Sequence, residues 1–265
     1  MKGIIGAISG DVIGSTKEHW PIKTKDFDLF PPRSIFTDDT VMTLAIADWL
    51  MGNKNSKQYL IDTVQYYGNM YPNAGYGGRF ISWLVENPPK PYGSWANGSA
   101  MRVSPCAWVA DSLEETQELA KLSAIISHDH PEGIKGAQST ADAIYLARTG
   151  STKDEIKQYI EQTYGYDLSR KLDDIRPSYS FDVSCAGSVP ESIICFLEAD
   201  DFEDTVRNAV SLGGDADTQA AIAGSIASAY WSVPEDIYET TLEFLDDFLL
   251  NVYKAFEEEF IKPNI

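Results

Sequence analysis

Two short acidic clusters carry the chemistry that this chain offers. Ser211-Leu212-Gly213-Gly214-Asp215-Ala216-Asp217-Thr218 separates two segments of helical spacing and leaves two carboxylates and a hydroxyl at the start of the second. Phe36-Thr37-Asp38-Asp39-Thr40 does the same ahead of the apolar run 41–50. An Asp or Thr at a helix start ordinarily caps it, accepting from free N–H groups and complementing the dipole. One such residue suffices, however, and two carboxylates heading a helix that must be buried are costly unless a cation neutralises them. Taken alone, the 211–218 turn suits capping as well as it suits a cation. Two oxygen-only clusters of the same make-up point instead to hard divalent ions. Brought together, they could hold a pair of ions about 3.5–4 Å apart that orients a substrate hydroxyl and activates water.

The rest of the composition narrows the field. There are only three histidines among the 265 residues, and neither a Cys-x-x-Cys nor a His-Glu-x-x-His spacing occurs, so Mg²⁺ or Mn²⁺ fits better than zinc. Cys106, Cys185 and Cys195 sit in apolar or small-residue settings, which reads as reduced core thiols and a cytoplasmic protein. A formal net charge of −19 makes nucleic acid and anionic membrane surfaces poor partners, because phosphate would be repelled. No apolar run is long enough to span a bilayer. Residues 1–10 lack the apolar length and cleavage site of a secretion signal and read as a buried first helix.

Helices are the elements that must position these clusters. Small and apolar residues over 4–13 predict a close-packed helix that breaks at Gly14, with Glu18 just past it as a surface carboxylate or a general base. Further helices are expected over 41–50, 56–67, 112–126, 131–148, 152–164, 191–197, 204–212, 219–231 and, as one long element, 235–260. Capping boxes are expected at Ser112-x-x-Glu115 and Thr152-x-x-Glu155. Between them, Pro91-Tyr92-Gly93-Ser94-Trp95-Ala96-Asn97-Gly98-Ser99-Ala100-Met101-Arg102 offers bare N–H groups ahead of a helix, an anion nest that would suit a diphosphate or a plain glycine-rich loop. His128 and His130 could face a phosphate, although their spacing fits helix ends better. No linker and no strand alternation occur, so the expected fold is all-α, a compact single-domain bundle of nine or ten helices over 1–265.

Taken together, these motifs resemble the ADP-ribosylglycohydrolases. The likeness rests on Gly10-Asp11-Val12-Ile13-Gly14-Ser15 with Glu18, Phe36-Thr37-Asp38-Asp39-Thr40, Asn97-Gly98-Ser99-Ala100-Met101-Arg102, His128 with Gly136-Ala137, and Gly213-Gly214-Asp215-Ala216-Asp217-Thr218, in the family's order. It implies an orthogonal all-α bundle and two Mg²⁺ or Mn²⁺ ions. Thr37, Asp38 and Asp39 would form one ligand set, and Asp215, Asp217 and Thr218 the other, with Asp217 touching both ions. Asp38 and Asp39 would thereby share in catalysis with Glu18, the implied catalytic carboxylate. Ser94, Trp95, Asn97, Gly98, Ser99, Met101 and His128 would hold the diphosphate side of ADP-ribose.

The implied reaction is hydrolysis of the N- or O-glycosidic bond at C1″ of an ADP-ribosyl group on a protein side chain or small acceptor. A non-catalytic ADP-ribose binder or crystallin-like structural member is the alternative, against which the intact Glu18 and complete acidic set weigh. Phosphatases with Asp-x-Asp-x-Thr and isoprenoid synthases with Asp-Asp-x-x-Asp fit less well, because Thr218 comes one position early and Met42 fills the last acidic position. Cys185, within the 181–190 segment, is expected to pack.

Overall fold

Glycine spacing in the first helix decides where the acidic clusters end up. The computed structural model describes residues 1–262. Its helices are α1 (Ile5–His19), α2 (Asp38–Asn53), α3 (Lys57–Met70), α4 (Gly78–Leu84) and α5 (Gly98–Met101). There follow α6 (Ser104–Val109), α7 (Leu113–Ala124), α8 (Pro131–Arg148), α9 (Lys153–Tyr164) and α10 (Leu172–Ile175). The last are α11 (Cys185–Leu197), α12 (Phe202–Val210), α13 (Ala216–Tyr230), α14 (Glu235–Glu243) and α15 (Asp247–Phe256), closed by a π-helical turn, Glu257–Ile261. Among the described residues there is no strand, only an isolated antiparallel bridge between Ala96 and Ser184. One continuous apolar core joins the helices, and no described helix is long and apolar enough to cross a membrane.

The centre of the bundle is the antiparallel pair α1 and α13. Gly6, Gly10 and Gly14 recur every four residues on one face of α1, opposite Ser228 and Gly224, Ala220, and Ala216 in turn. A Cβ on any of the three glycines would collide with backbone of α13, so the two helices touch main chain to main chain. Every residue of α13 from Ala216 to Ala229 is buried, as expected of a helix enclosed on all sides. The pairing runs the end of α1, with Glu18, past the start of α13, with Asp215 and Asp217. Ser228 Oγ fastens the far end by donating to Gly3 O at 2.8 Å.

Three boundaries depart from expectation for identifiable reasons. Gly14 does not break α1, which continues to His19, because this glycine serves the contact with Ala216 rather than a turn. The long C-terminal helix is instead two helices, since the Asp246 side chain accepts from Leu249 N and starts a new one. α11 begins at Cys185 rather than 191, capped by Ser184 through Gly187 N, and carries Pro190 inside it. The capping box at Thr152 and Glu155 is complete. At Ser112 only half of it forms, because Glu115 accepts from Asp111 N and pairs with Lys54.

The seam predicts a sharp contrast between glycines. Gly10→Ala should destabilise the protein by about 1–3 kcal/mol, the range for overpacking a filled interior. Gly78→Ala, where the added carbon meets open space in the first turn of α4, should be neutral or slightly stabilising. Urea unfolding of both variants checks this, and equal midpoints would contradict the main-chain contact.

Candidate active site

Asp11 is the residue from which the site is built, and it sits in the middle of α1, fully buried. One of its oxygens accepts from Thr37 N at 2.9 Å and Thr40 N at 3.1 Å, and also from the Thr40 hydroxyl. The other accepts from Thr37 Oγ1 at 2.7 Å. A buried carboxylate bound by two backbone N–H groups at a helix start fixes α2 against α1. Thr37 itself caps α2 through Asp39 N. The sequence carried a signal for Asp11, a lone acid in an apolar, small-residue helix, which must be satisfied if buried.

The second cluster arrives from α13. Asp215 holds the N-cap position, yet its side chain accepts nothing from the helix N–H groups; it accepts from Asn97 Nδ2 at 2.7 Å instead. Capping therefore does not account for Asp215. Thr218 Oγ1 donates to Asp39 Oδ2 at 3.1 Å and ties α13 to α2. One carboxylate oxygen each from Asp11, Asp39 and Asp217 lie within 4.8 Å of one another, and so do one each from Glu18, Asp215 and Asp217. Asp217 belongs to both groups. Asp38 stands outside them but borders the same pocket, its N–H bound to Ala74 O at 2.8 Å.

Such crowding leaves its mark on the acids. Burial first, opposed by the threonine hydrogen bonds, raises Asp11 to about 6. Burial and then the Asp11 charge raise Asp38 to about 8. Asp215 is raised to about 6, mainly by burial, while Asp39 and Asp217 stand well above the usual carboxylate range from burial and their neighbours' charges. Asp39 Oδ1 is buried without a hydrogen-bond partner. An orphaned carboxylate oxygen among like charges, with an all-oxygen donor set, suits a hard divalent cation.

Asp38, Asp39, Asp215 and Asp217 line a pocket of ≈ 680 Å³, whereas Asp11 stands behind them. Ser94, Trp95, Asn97, Gly98, Met101 and His128, the residues the family resemblance singled out, also line it, and so does Glu18, in the last turn of α1 rather than beyond it. Ser99 does not: its side chain turns beneath the loop and donates to Gly133 O at 2.7 Å. The nest is also partly spent, since Asn97 N donates to Val183 O and Gly93 N to an Asp129 carboxylate. His130 caps α8 through Glu132 N, the helix-end role its spacing suggested, whereas buried His128 reaches the pocket. Cys185 packs as expected, its Sγ on Ala96 O, with burial pushing the thiol up to about 12. Residues without a role in the sequence reading complete the walls, among them Arg79, Tyr92 and Arg102, and exposed Trp20, Ile35 and Phe181.

Known proteins of the same build exist. The ADP-ribosylglycohydrolase family model matches residues 1–262. ADP-ribosylhydrolase ARH3 of Mus musculus is 28% identical over 293 aligned residues, spanning 84% of this chain and 78% of its own. ADP-ribosylarginine hydrolase Tri1 of Pseudomonas putida is 24% identical over 261, spanning 87% and 70%. A solved structure described as an ADP-ribosylglycohydrolase-related protein complex has the same fold, with a TM-score of 0.74 at 22% identity, over 96% of this chain and 95% of that one.

The raised acids fix the sign of a pH effect. Their folded-state values exceed the ordinary 3.8, so the fold keeps protons that the unfolded chain releases. The cluster's contribution to the stability of chelator-treated protein is therefore full below about pH 4 and is lost as pH rises through about 6 to about 8. Asp142, raised to about 6 by burial between α8 and α9, acts in the same direction, so a variant must isolate the cluster. Asp217→Asn should melt higher than the parent at pH 8 in chelator, with the gap closing at pH 4. Thermal unfolding at the two pH values decides it, and a lower melting point for Asp217→Asn at pH 8 would contradict the account.

Proposed function

Because the chain belongs to the ADP-ribosylglycohydrolase family, we propose that it is a metal-dependent hydrolase of the C1″ glycosidic bond of an ADP-ribosyl group. The observation that carries this reading is that two all-carboxylate groups, Asp11, Asp39 and Asp217 and Glu18, Asp215 and Asp217, meet at Asp217, a donor set that would suit hard divalent ions. Thr37, Asp38 and Asp39 on one side and Asp215, Asp217 and Thr218 on the other would hold two Mg²⁺ or Mn²⁺. When bound, such ions neutralise the acids, hold the hydroxyls of the distal ribose and lower the pKa of water.

The chain's own groups divide the remaining work. Asp11, all of whose hydrogen-bonding capacity goes to Thr37 and Thr40, keeps the first ligand set in place. Glu18 is half-buried at the pocket edge, next to Asp215 and Asp217. There it would take a proton from the attacking water or give one to the leaving group. The C1″–N or C1″–O bond breaks, the water oxygen bonds to C1″, and ADP-ribose leaves with the acceptor protonated. Surrounding carboxylates favour the oxocarbenium character of the transition state. Ser94, Trp95, Asn97, Gly98, Met101 and His128, which line the same pocket, would hold the diphosphate, and Asn97 also ties that segment to Asp215.

For the acceptor the field is an ADP-ribosylated protein side chain or a small molecule, N- or O-linked. The name of the Pseudomonas relative specifies arginine, and the chain's net charge of −19 weighs against nucleic acid.

A screen of arginine-, serine- and O-acetyl-linked ADP-ribose in Mg²⁺ and in chelator tests the proposal. At least one substrate should turn over in Mg²⁺ and not in chelator. Asp217→Asn should lose at least about a hundredfold in turnover with its helical signal intact. Equal hydrolysis by the parent and by the double variant Asp38→Asn, Asp39→Asn would overturn it.

A further inference from the structure

In the pocket wall lies a buried charge without an ionic partner among the described residues. Arg102 is among the largest fully buried side chains, 1% exposed, in a chain with 40 acidic residues. Nevertheless, among the described residues no carboxylate stands within ion-pair distance of it. Its guanidinium donates to Ser123 O at 2.6 Å and to Ser127 Oγ at 3.1 Å, and it lies over the Phe80 ring. Buried arginines are ordinarily paired, because an isolated charge is expensive to desolvate. An anion entering the pocket would supply the missing partner.

The hydrogen bonds from Arg102 lead to that pocket. Ser127 is wholly buried, and its hydroxyl stands 2.8 Å from His128 Nδ1. A guanidinium only donates, so Ser127 Oγ accepts from Arg102 and has its own hydrogen to give. His128 Nδ1 is the acceptor within reach. The opposite arrangement, with Nδ1 donating, would leave a buried hydroxyl hydrogen unsatisfied, which costs more than the bond returns. Nδ1 is thus the bare nitrogen and Nε2 carries the proton. Nε2 stands at the loop, 3.1 Å from where a Cβ on Gly98 would lie, so glycine there keeps the approach open. Burial and then the Arg102 charge hold His128 well below its usual range, which keeps the ring from taking a second proton.

We propose that Arg102 and Ser127 are positioning residues that present His128 as an Nε2–H donor to a diphosphate oxygen of the ADP-ribosyl group, with Arg102 as the buried counter-charge. This rests on the ADP-ribosyl reading of the pocket. Affinity for the diphosphate is then set in part by a relay that runs from Arg102 through Ser127 to His128, outside the acid cluster.

Nitrogen-15 spectra of the histidine side chains test it on the intact protein, with His128 assigned against variants of the other two. The parent should show His128 in the Nε2–H form alone from pH 6 to pH 8, and an Nδ1–H form would overturn the proposal. Ser127→Ala should give a mixture of tautomers and raise KM about tenfold, the worth of one hydrogen bond to a charged group, with kcat little changed. Ser127→Thr, which keeps the hydroxyl, should restore the single form and the parental KM. An unchanged tautomer and KM in Ser127→Ala would overturn the relay. If the parent held the Nε2–H form but neither bound ADP-ribose by calorimetry nor hydrolysed its conjugates, the ADP-ribosyl reading would fall and the diphosphate contact with it.

Discussion

Main-chain contact between α1 and α13 is the constraint on which the rest of the structure depends. Glycines at positions 6, 10 and 14 meet small residues at 216, 220, 224 and 228, and a contact that close admits one register. The register, not any attraction between them, is what puts Glu18 and Asp11 beside Asp215 and Asp217. Because packed interiors resist deformation, the acids are held together although their charges push them apart.

Around that seam the fold distributes the cost of like charges. Asp11 is offset by four hydrogen bonds, which makes it an anchor for α2 more than a free ligand. Asp39 and Asp217 have weaker compensation, and Asp39 keeps one oxygen wholly unpartnered. Strain of this kind persists where function needs it and is offset elsewhere, here by a core that runs unbroken through the helices. The same pocket is also lined by Arg102, a buried cation with no carboxylate at ion-pair distance among the described residues.

Much of this was legible in the sequence, for physical reasons that also mark the limits. Two oxygen-only clusters at the heads of apolar helices announced a shared site, because nothing in a single helix cap needs so many acids. The all-helical class followed from periodicity and from the absence of alternation. What escaped notice depended on contacts remote in sequence. Gly14 reads as a helix breaker until Ala216 is seen against it, and Asp246 reads as one more exposed acid on a long stripe until it caps Leu249. Asp11 stood inside a quoted motif with no role, since its partners lie 26 and 29 positions on. Ser99 fitted the loop pattern, but its side-chain direction is settled by Gly133 in α8. Arg102 stood inside a quoted motif with no role, because a buried arginine cannot be told from an exposed one by spacing, and Ser127 was given none either.

The central claim is that the acids are held together to receive two divalent cations that share Asp217. Anomalous diffraction from crystals grown in Mn²⁺ tests it most directly. The account predicts two peaks about 3.5–4 Å apart, both in direct contact with Asp217. A single peak on surface acids, or none in the pocket while Asp39 and Asp217 remain side by side and protonated, would contradict it.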